Sequence, residues 1–256
     1  MDTLILKLVA TPILIGAATL IGRRWGQAIG GWLVGLPLTS APVAFFLALD
    51  HGTPFAADAS AGSLLGIAAE SSFCIAYAAC ARRAGWRGAL LAGTCAFAVA
   101  VVILSSLPRL SRPILIALPL SVLVFALYVT PRFRSGAPIA AAPRWDLAAR
   151  MIATTTLVVA LTAAAGRLGP ELSGIVATYP LFASVLAVFG HRAYGADAAL
   201  NVLRGLMLGL FSFAAFFVVL GAAIVPFGIA EAFAFATLAA LAAQGLSLQV
   251  VRRALR

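Results

Sequence analysis

The sequence predicts an all-α fold, a polytopic membrane helix bundle of about nine transmembrane helices in two inverted-topology repeats, spans 1–4 and 6–9, joined by span 5. Three observations predict it: an extreme apolar content, polar punctuation at span-length intervals, and a glycine–proline pattern that occurs twice. Of the 256 residues, 63% are hydrophobic and the mean hydropathy is +1.07, more apolar surface than one soluble core buries. The net charge of +10 comes from arginines set between apolar runs, which is not the spread basic footprint of a nucleic-acid binder. Membrane lipids and a small-molecule or lipid substrate are the expected partners, with no nucleic acid. Cys74, Cys80 and Cys95 lie inside apolar runs and are odd in number, so they read as packing residues and not as a disulfide framework.

A span needs roughly 20 mainly apolar residues. Nine such runs fall at 3–21, 27–49, 60–81, 88–106, 113–130, 147–165, 170–190, 203–224 and 229–250. The first ends in Gly22-Arg23-Arg24 and not in a small-residue cleavage site, so it is expected to stay as span 1. Residues 1–106 then form the first repeat, 107–146 a connector helix and loop, and 147–256 the second repeat. Arginine placement sets the orientation, because positively charged loops stay in the cytoplasm. With the loop after span 1 inside, fourteen arginines face inward, from Arg23 and Arg24 to Arg252, Arg253 and Arg256. Only Arg109, Arg112, Arg167 and Lys7 fall opposite. A bacterial cytoplasmic membrane protein with its N-terminus outside and its C-terminus inside satisfies that count.

Displacing the sequence by 143 positions aligns Arg24–Phe73 with Arg167–Phe216 without a gap. Gly26, Gly31, Pro37, Gly52, Gly62 and Gly66 recur as Gly169, Gly174, Pro180, Gly195, Gly205 and Gly209. Biased composition aligns alanines and leucines; it does not readily align this many glycines with a proline and an arginine. Equivalent spans are five apart, an odd offset, so they cross in opposite directions. Secondary transporters commonly have this architecture.

Both copies carry a mid-span proline. Proline removes an N–H and clashes with the carbonyl four residues earlier, which leaves Leu33 and Val176 as carbonyls without their helical partners. Two broken helices near the midplane would offer backbone dipoles and hydroxyls to a substrate, through Pro37, Thr39, Ser40 and Pro42 in span 2 and Thr178, Tyr179, Pro180 and Ser184 in span 7. The plainer account is a pair of proline kinks closed by Ser and Thr hydroxyls. Glu70 stands in mid-span 3, where a charged group costs about 2.5–3.5 kcal/mol, and reads as a proton-coupling residue. Its plainer account is a neutral carboxyl hydrogen-bonded to a neighbour. Arg24 and Arg167 stand at opposite mouths, where they either attract anions or simply set topology. Glu171 and Glu231 begin spans 7 and 9 and read as capping carboxylates. Gly62/Gly66 and Gly205/Gly209 are small-xxx-small faces for helix packing or for an oligomer. His51 and His191 fall on opposite sides, and no clustered ligand set, HExxH, phosphate loop or nucleophilic triad occurs, so no metal, cofactor or enzyme activity is expected.

The stretch Ser173-Gly174-Ile175-Val176-Ala177-Thr178-Tyr179-Pro180-Leu181-Phe182 resembles the GlpM-type family of small bacterial inner-membrane proteins, whose corresponding stretch is Ala-Gly-(apolar)-Pro-Leu-(aromatic)-Pro. It departs at Ala183, where that family has proline. The resemblance covers about one repeat and implies an inner-membrane setting without an activity. The function expected from the residues is a secondary transporter or lipid-carrier translocase working by alternating access. It would be proton-coupled and act on a small anionic or zwitterionic solute or a lipid phosphate. A membrane-embedded enzyme acting on a lipid or prenyl phosphate, and a non-transporting assembly subunit, are the alternatives.

Overall fold

Glycines and prolines set where the helices of this chain start and stop. The structure, a computed structural model, describes residues 24–37, 40–108, 110–131 and 178–255 continuously, and scattered positions within 9–21 and 147–175. Among the described residues there are eight helices and no strand: α1 (Gln27–Val34), α2 (Ser40–His51), α3 (Thr53–Cys80), α4 (Gly85–Ser105), α5 (Arg112–Val129), α6 (Leu181–Tyr194), α7 (Ala196–Phe227) and α8 (Ile229–Leu255). Five helices, α3, α4, α5, α7 and α8 as far as Gln249, are long and apolar enough to cross a membrane. The predicted runs 3–21 and 147–165 and the loop 132–146 lie largely or wholly outside the described residues, as does the first part of run 170–190.

α3 and α7 form the centre. Their apolar stretches are 61% buried, against 28% for α4, 17% for α5 and 22% for α8. The outer three turn large apolar side chains outward, among them Leu91, Val102, Phe125, Leu238 and Leu246, a surface that acyl chains solvate and water does not. Cys95 belongs to this exposed face, so of the three cysteines Cys74 is the one packed in the core. Arg82, just past the end of α3, pairs with Asp197 in the first turn of α7 at 2.7 Å. At the other end Gly221 of α7 lies against Ser60 of α3. The two central helices therefore run antiparallel.

Apolar burial adds little drive when lipid is the alternative, so close backbone approach has to supply the contact. Glycine provides it at both sides of the central pair. A Cβ on Gly31 would collide with the Val202 carbonyl, one on Gly205 with the Ala28 carbonyl, and one on Gly35 with the Gly209 backbone, which locks α1 onto α7. A Cβ on Gly66 would collide with the Thr178 side chain, which locks the break before α6 onto α3. Of the glycine faces considered above, Gly66, Gly205 and Gly209 meet neighbouring segments within the chain and Gly62 is buried.

Positions 143 apart share backbone detail. Gly52 (φ 88°) and Gly195 (φ 87°), in a region L side chains rarely enter, directly precede Thr53 and Ala196, the first residues of α3 and α7. The Gly35 N–H reaches the Trp32 carbonyl at 3.2 Å, and the Thr178 N–H reaches the Ile175 carbonyl at 3.1 Å. Ala41 N–H to Pro37 carbonyl (2.9 Å) is matched by Ser184 to Pro180 (2.7 Å), and Gly52 to Ala48 (3.1 Å) by Gly195 to His191 (3.0 Å). The frame continues past Phe73 and Phe216 to Gly85 and Gly228, both at positive φ.

Three expectations need correction. The runs at 60–81 and 203–224 each begin seven residues earlier, because the helix starts after a glycine and continues beyond the apolar stretch; Asp58 is helical and not in a loop. The Leu33 carbonyl is not left without a partner, since the last turn of α1 tightens and the Leu36 N–H reaches it at 3.2 Å. Arg204 does more than set topology. Its Nη1 donates to the carbonyls of Leu127 and Thr130, both at 2.9 Å, and so holds the C-terminal turn of α5 against α7.

Candidate functional site: the second helix break

Pro180 caps α6, and the residues before it turn away from helix. Thr178 is buried, and its hydroxyl donates at 2.6 Å to the Ile175 carbonyl, satisfying one acceptor that the break exposes. Ser184, also buried, donates to the Leu181 carbonyl at 2.9 Å. The Thr178 hydroxyl therefore closes the kink, whereas Ser184 back-bonds within the first turn of α6; both keep lone pairs for a further donor. Tyr179 reaches sideways: its hydroxyl bonds Thr94 of α4 at 2.9 Å, and its ring meets Phe97 and Phe73 edge-on, at 5.2 and 5.9 Å.

Glu70 belongs to this break by the geometry of α3. It lies one turn after Gly66, which touches Thr178, and one turn before Phe73 and Cys74, on the face that α3 turns to residues 178–191. Glu70 is 5% exposed and makes no hydrogen bond to another described residue. Among the described residues a carboxylate ionised there has no ion-pair partner, and Ser71, fully buried beside it, has an Oγ without a partner. Farther along the same face the Tyr77 hydroxyl and His191 Nδ1 share a hydrogen bond at 3.2 Å.

A cavity of about 850 Å³ lies between α3, α5 and α7. Its walls are mainly apolar, with Leu104 and Phe217 among them, and exposed Asp58 and Arg112 stand at its rim. Gly62, Leu65 and Ile175 line it, one turn from the contact of Gly66 with Thr178, so it extends to the break. Glu70 lies one turn beyond that contact, on the far side from the rim.

The first break is built differently. Pro37 and Ser40 are buried there; Thr39 lies outside the described residues, as does the side chain of Pro42. Trp32 Nε1 donates to Ser247 Oγ at 2.8 Å, and Gln244 Nε2 donates to the Trp32 carbonyl at 2.9 Å, tying α1 to α8. Arg24 is exposed, with its guanidinium over the Trp25 ring at 5.3 Å. Arg167, Glu171 and Val176 lie outside the described residues. Glu231 is exposed in the first turn of α8.

The structure thus sets Glu70 on the face of α3 whose neighbours Gly66 and Phe73 meet Thr178 and Tyr179, and buries Pro37 and Ser40 at the first break. Tyr77, Thr94, Trp32, Gln244 and Ser247 were missed by sequence reasoning, and His191 was weighed only as a metal ligand. One signal was available for Thr94, because Thr237 stands 143 positions later. No protein-family model, curated protein or solved structure matches this chain.

Proposed function

We propose that this chain is a secondary membrane transporter or lipid-carrier translocase of nine spans. In this reading its two inverted repeats, spans 1–4 and 6–9, exchange conformations around the two breaks. What supports the reading is a cavity in one half whose counterpart in the other half is closed. The cavity-lining residues Gly62, Leu104 and Ile175 correspond, at the 143-residue offset, to Gly205, Ser247 and Trp32. In that second place the Ala28 carbonyl fills the space over Gly205, and Trp32 is bonded to Ser247. The antiparallel α3 and α7, with identical starts and matched hydrogen bonds at both breaks, are what such halves require. Opening one and closing the other exchanges access from the Asp58–Arg112 end to the Arg82–Asp197 end.

Under the arginine-based topology, with the N-terminus outside, the cavity faces outward from a bacterial cytoplasmic membrane, the setting the GlpM resemblance implies. An apolar pocket rimmed by one acid and one base suits a substrate with an apolar body and an anionic or zwitterionic head. Glu70, past the closed contact, would carry the coupling proton. A thermal-shift screen of metabolites and lipid phosphates should yield a stabilising ligand, because a molecule that prefers the folded state raises its stability. With that ligand in proteoliposomes, Glu70→Gln is expected to abolish pH-driven uptake while the folded protein is retained. Unaltered coupling in that variant removes Glu70 from the mechanism. Cysteines at 24 and 167 that label from the same side remove the inverted repeat.

A further inference from the structure

We infer that Tyr77 and His191 form a proton path that connects Glu70 with the end of the bundle carrying Arg82 and Asp197. The inference rests on the reading of Glu70 as a proton-coupling group and adds the route by which a proton arrives. α3 places Glu70, Cys74 and Tyr77 at successive turns of one face, a rise of about 10 Å from first to last. Glu70 and Cys74, four residues apart on one helix, are neighbours on its surface. The Tyr77 ring is fully buried, and its hydroxyl meets His191 Nδ1 at 3.2 Å. His191, in the last turn of α6, is half-buried, so its ring stands between the interior and the solvent.

The repeat sharpens the point. The positions 143 away from Glu70, Cys74, Tyr77 and His191 are Phe213, Phe217, Leu220 and Ala48, so every hydrogen-exchanging member of this column has an apolar counterpart. Helix packing alone would be served by the apolar versions. Around the column, Arg83 is exposed and Cys80 is partly buried at the end of α3, and most other titratable or charged groups have partners of their own. Tyr179 bonds Thr94, Arg82 pairs with Asp197, Arg87 and Arg192 lie over the Trp86 ring, and Arg204 holds the end of α5; Tyr194 is also engaged.

The transfer balances without a further reactant. A proton from solvent makes His191 an imidazolium. Its Nδ1–H proton passes to the Tyr77 oxygen as the Tyr77 hydroxyl proton leaves toward the Cys74 thiol, which hands its own on to the Glu70 carboxylate. His191, Tyr77 and Cys74 finish as they began, and Glu70 gains one proton.

The test is a pH jump on the full chain in phosphatidylcholine nanodiscs, following the Glu70 carboxyl stretch by time-resolved infrared spectroscopy, the band being assigned by its loss in Glu70→Gln. Tyr77→Phe and His191→Asn are each expected to slow protonation of Glu70 roughly tenfold or more. Thr94→Val, which removes a neighbouring hydroxyl from the same break, should leave the rate unchanged. Asn keeps a hydrogen-bonding nitrogen near the place of Nδ1 but cannot ferry a proton, so a merely structural role predicts the original rate. Imidazole in the buffer should restore the rate of a His191→Gly variant. Unchanged rates in folded Tyr77→Phe and His191→Asn overturn the path. A Glu70 band that never titrates overturns instead the proton-coupled reading beneath it.

Discussion

At the first break Gly35 lies on Gly209, with Trp32, Gln244 and Ser247 hydrogen-bonded over it; at the second, Thr178 stands in the place of Gly35 and Gly66 in that of Gly209. The main chain makes the same turn in both, down to matched hydrogen bonds before and after each proline. The side chains do not match. Where the second break has Glu70, Tyr179 and a cavity reaching Ile175, the first has Phe213, Leu36 and a bonded tryptophan. The difference teaches that the two halves keep a common backbone device, set by glycine and proline, while ionisable chemistry is concentrated on one of them. A second buried carboxyl would cost a further few kcal/mol.

The comparison breaks most sharply at the glycines. Gly205→Leu forces a side chain into the Ala28 carbonyl, with no flexible group to yield, and is expected to cost about 3 kcal/mol and separate α1 from α7. Denaturation in mild detergent would read it as a large drop in midpoint. A variant as stable as the parent would mean the first break is not locked as described.

A smaller effect is expected at the second break, where the neighbour is a side chain and not backbone. Gly66→Ala should cost about 1–2 kcal/mol, and adding Thr178→Gly, which copies the glycine pair of the first break, should return about 1 kcal/mol. Strictly additive effects in this double-mutant cycle would show that the two residues do not meet.

The smallest effect sharpens the contrast between the closed and the open side. Ser247→Ala removes the acceptor of Trp32 Nε1 and should cost about 1 kcal/mol. It should also raise alkylation of a cysteine placed at Asn201, the counterpart of rim residue Asp58, because the closed half loses a tie. Unaltered labelling would mean that Trp32 and Ser247 are packing and not a closure.

Much of the fold was legible because it is written in local terms. A run of apolar residues names its solvent, a proline names a break, and a glycine that recurs at a constant offset names a repeated turn, each without reference to a distant partner. Even so, run 60–81 was begun too late, since hydropathy follows polarity and the helix follows backbone, which Gly52 starts. Glu70 stood out because a carboxyl in a 20-residue apolar run is costly wherever it points. Tyr77 did not, since a tyrosine among alanines and phenylalanines has no energetic signature until its hydroxyl is seen to face His191, 114 residues away. The sequence by itself determined the solvent of this protein, its helical class and the prolines and glycines at its breaks, because these depend on composition and on backbone freedom at single residues. Only the tertiary structure decided which glycine admits which helix, which half holds the cavity, and which protonatable groups line up. Those are contacts between residues far apart in the chain, and nothing in their local surroundings specifies them.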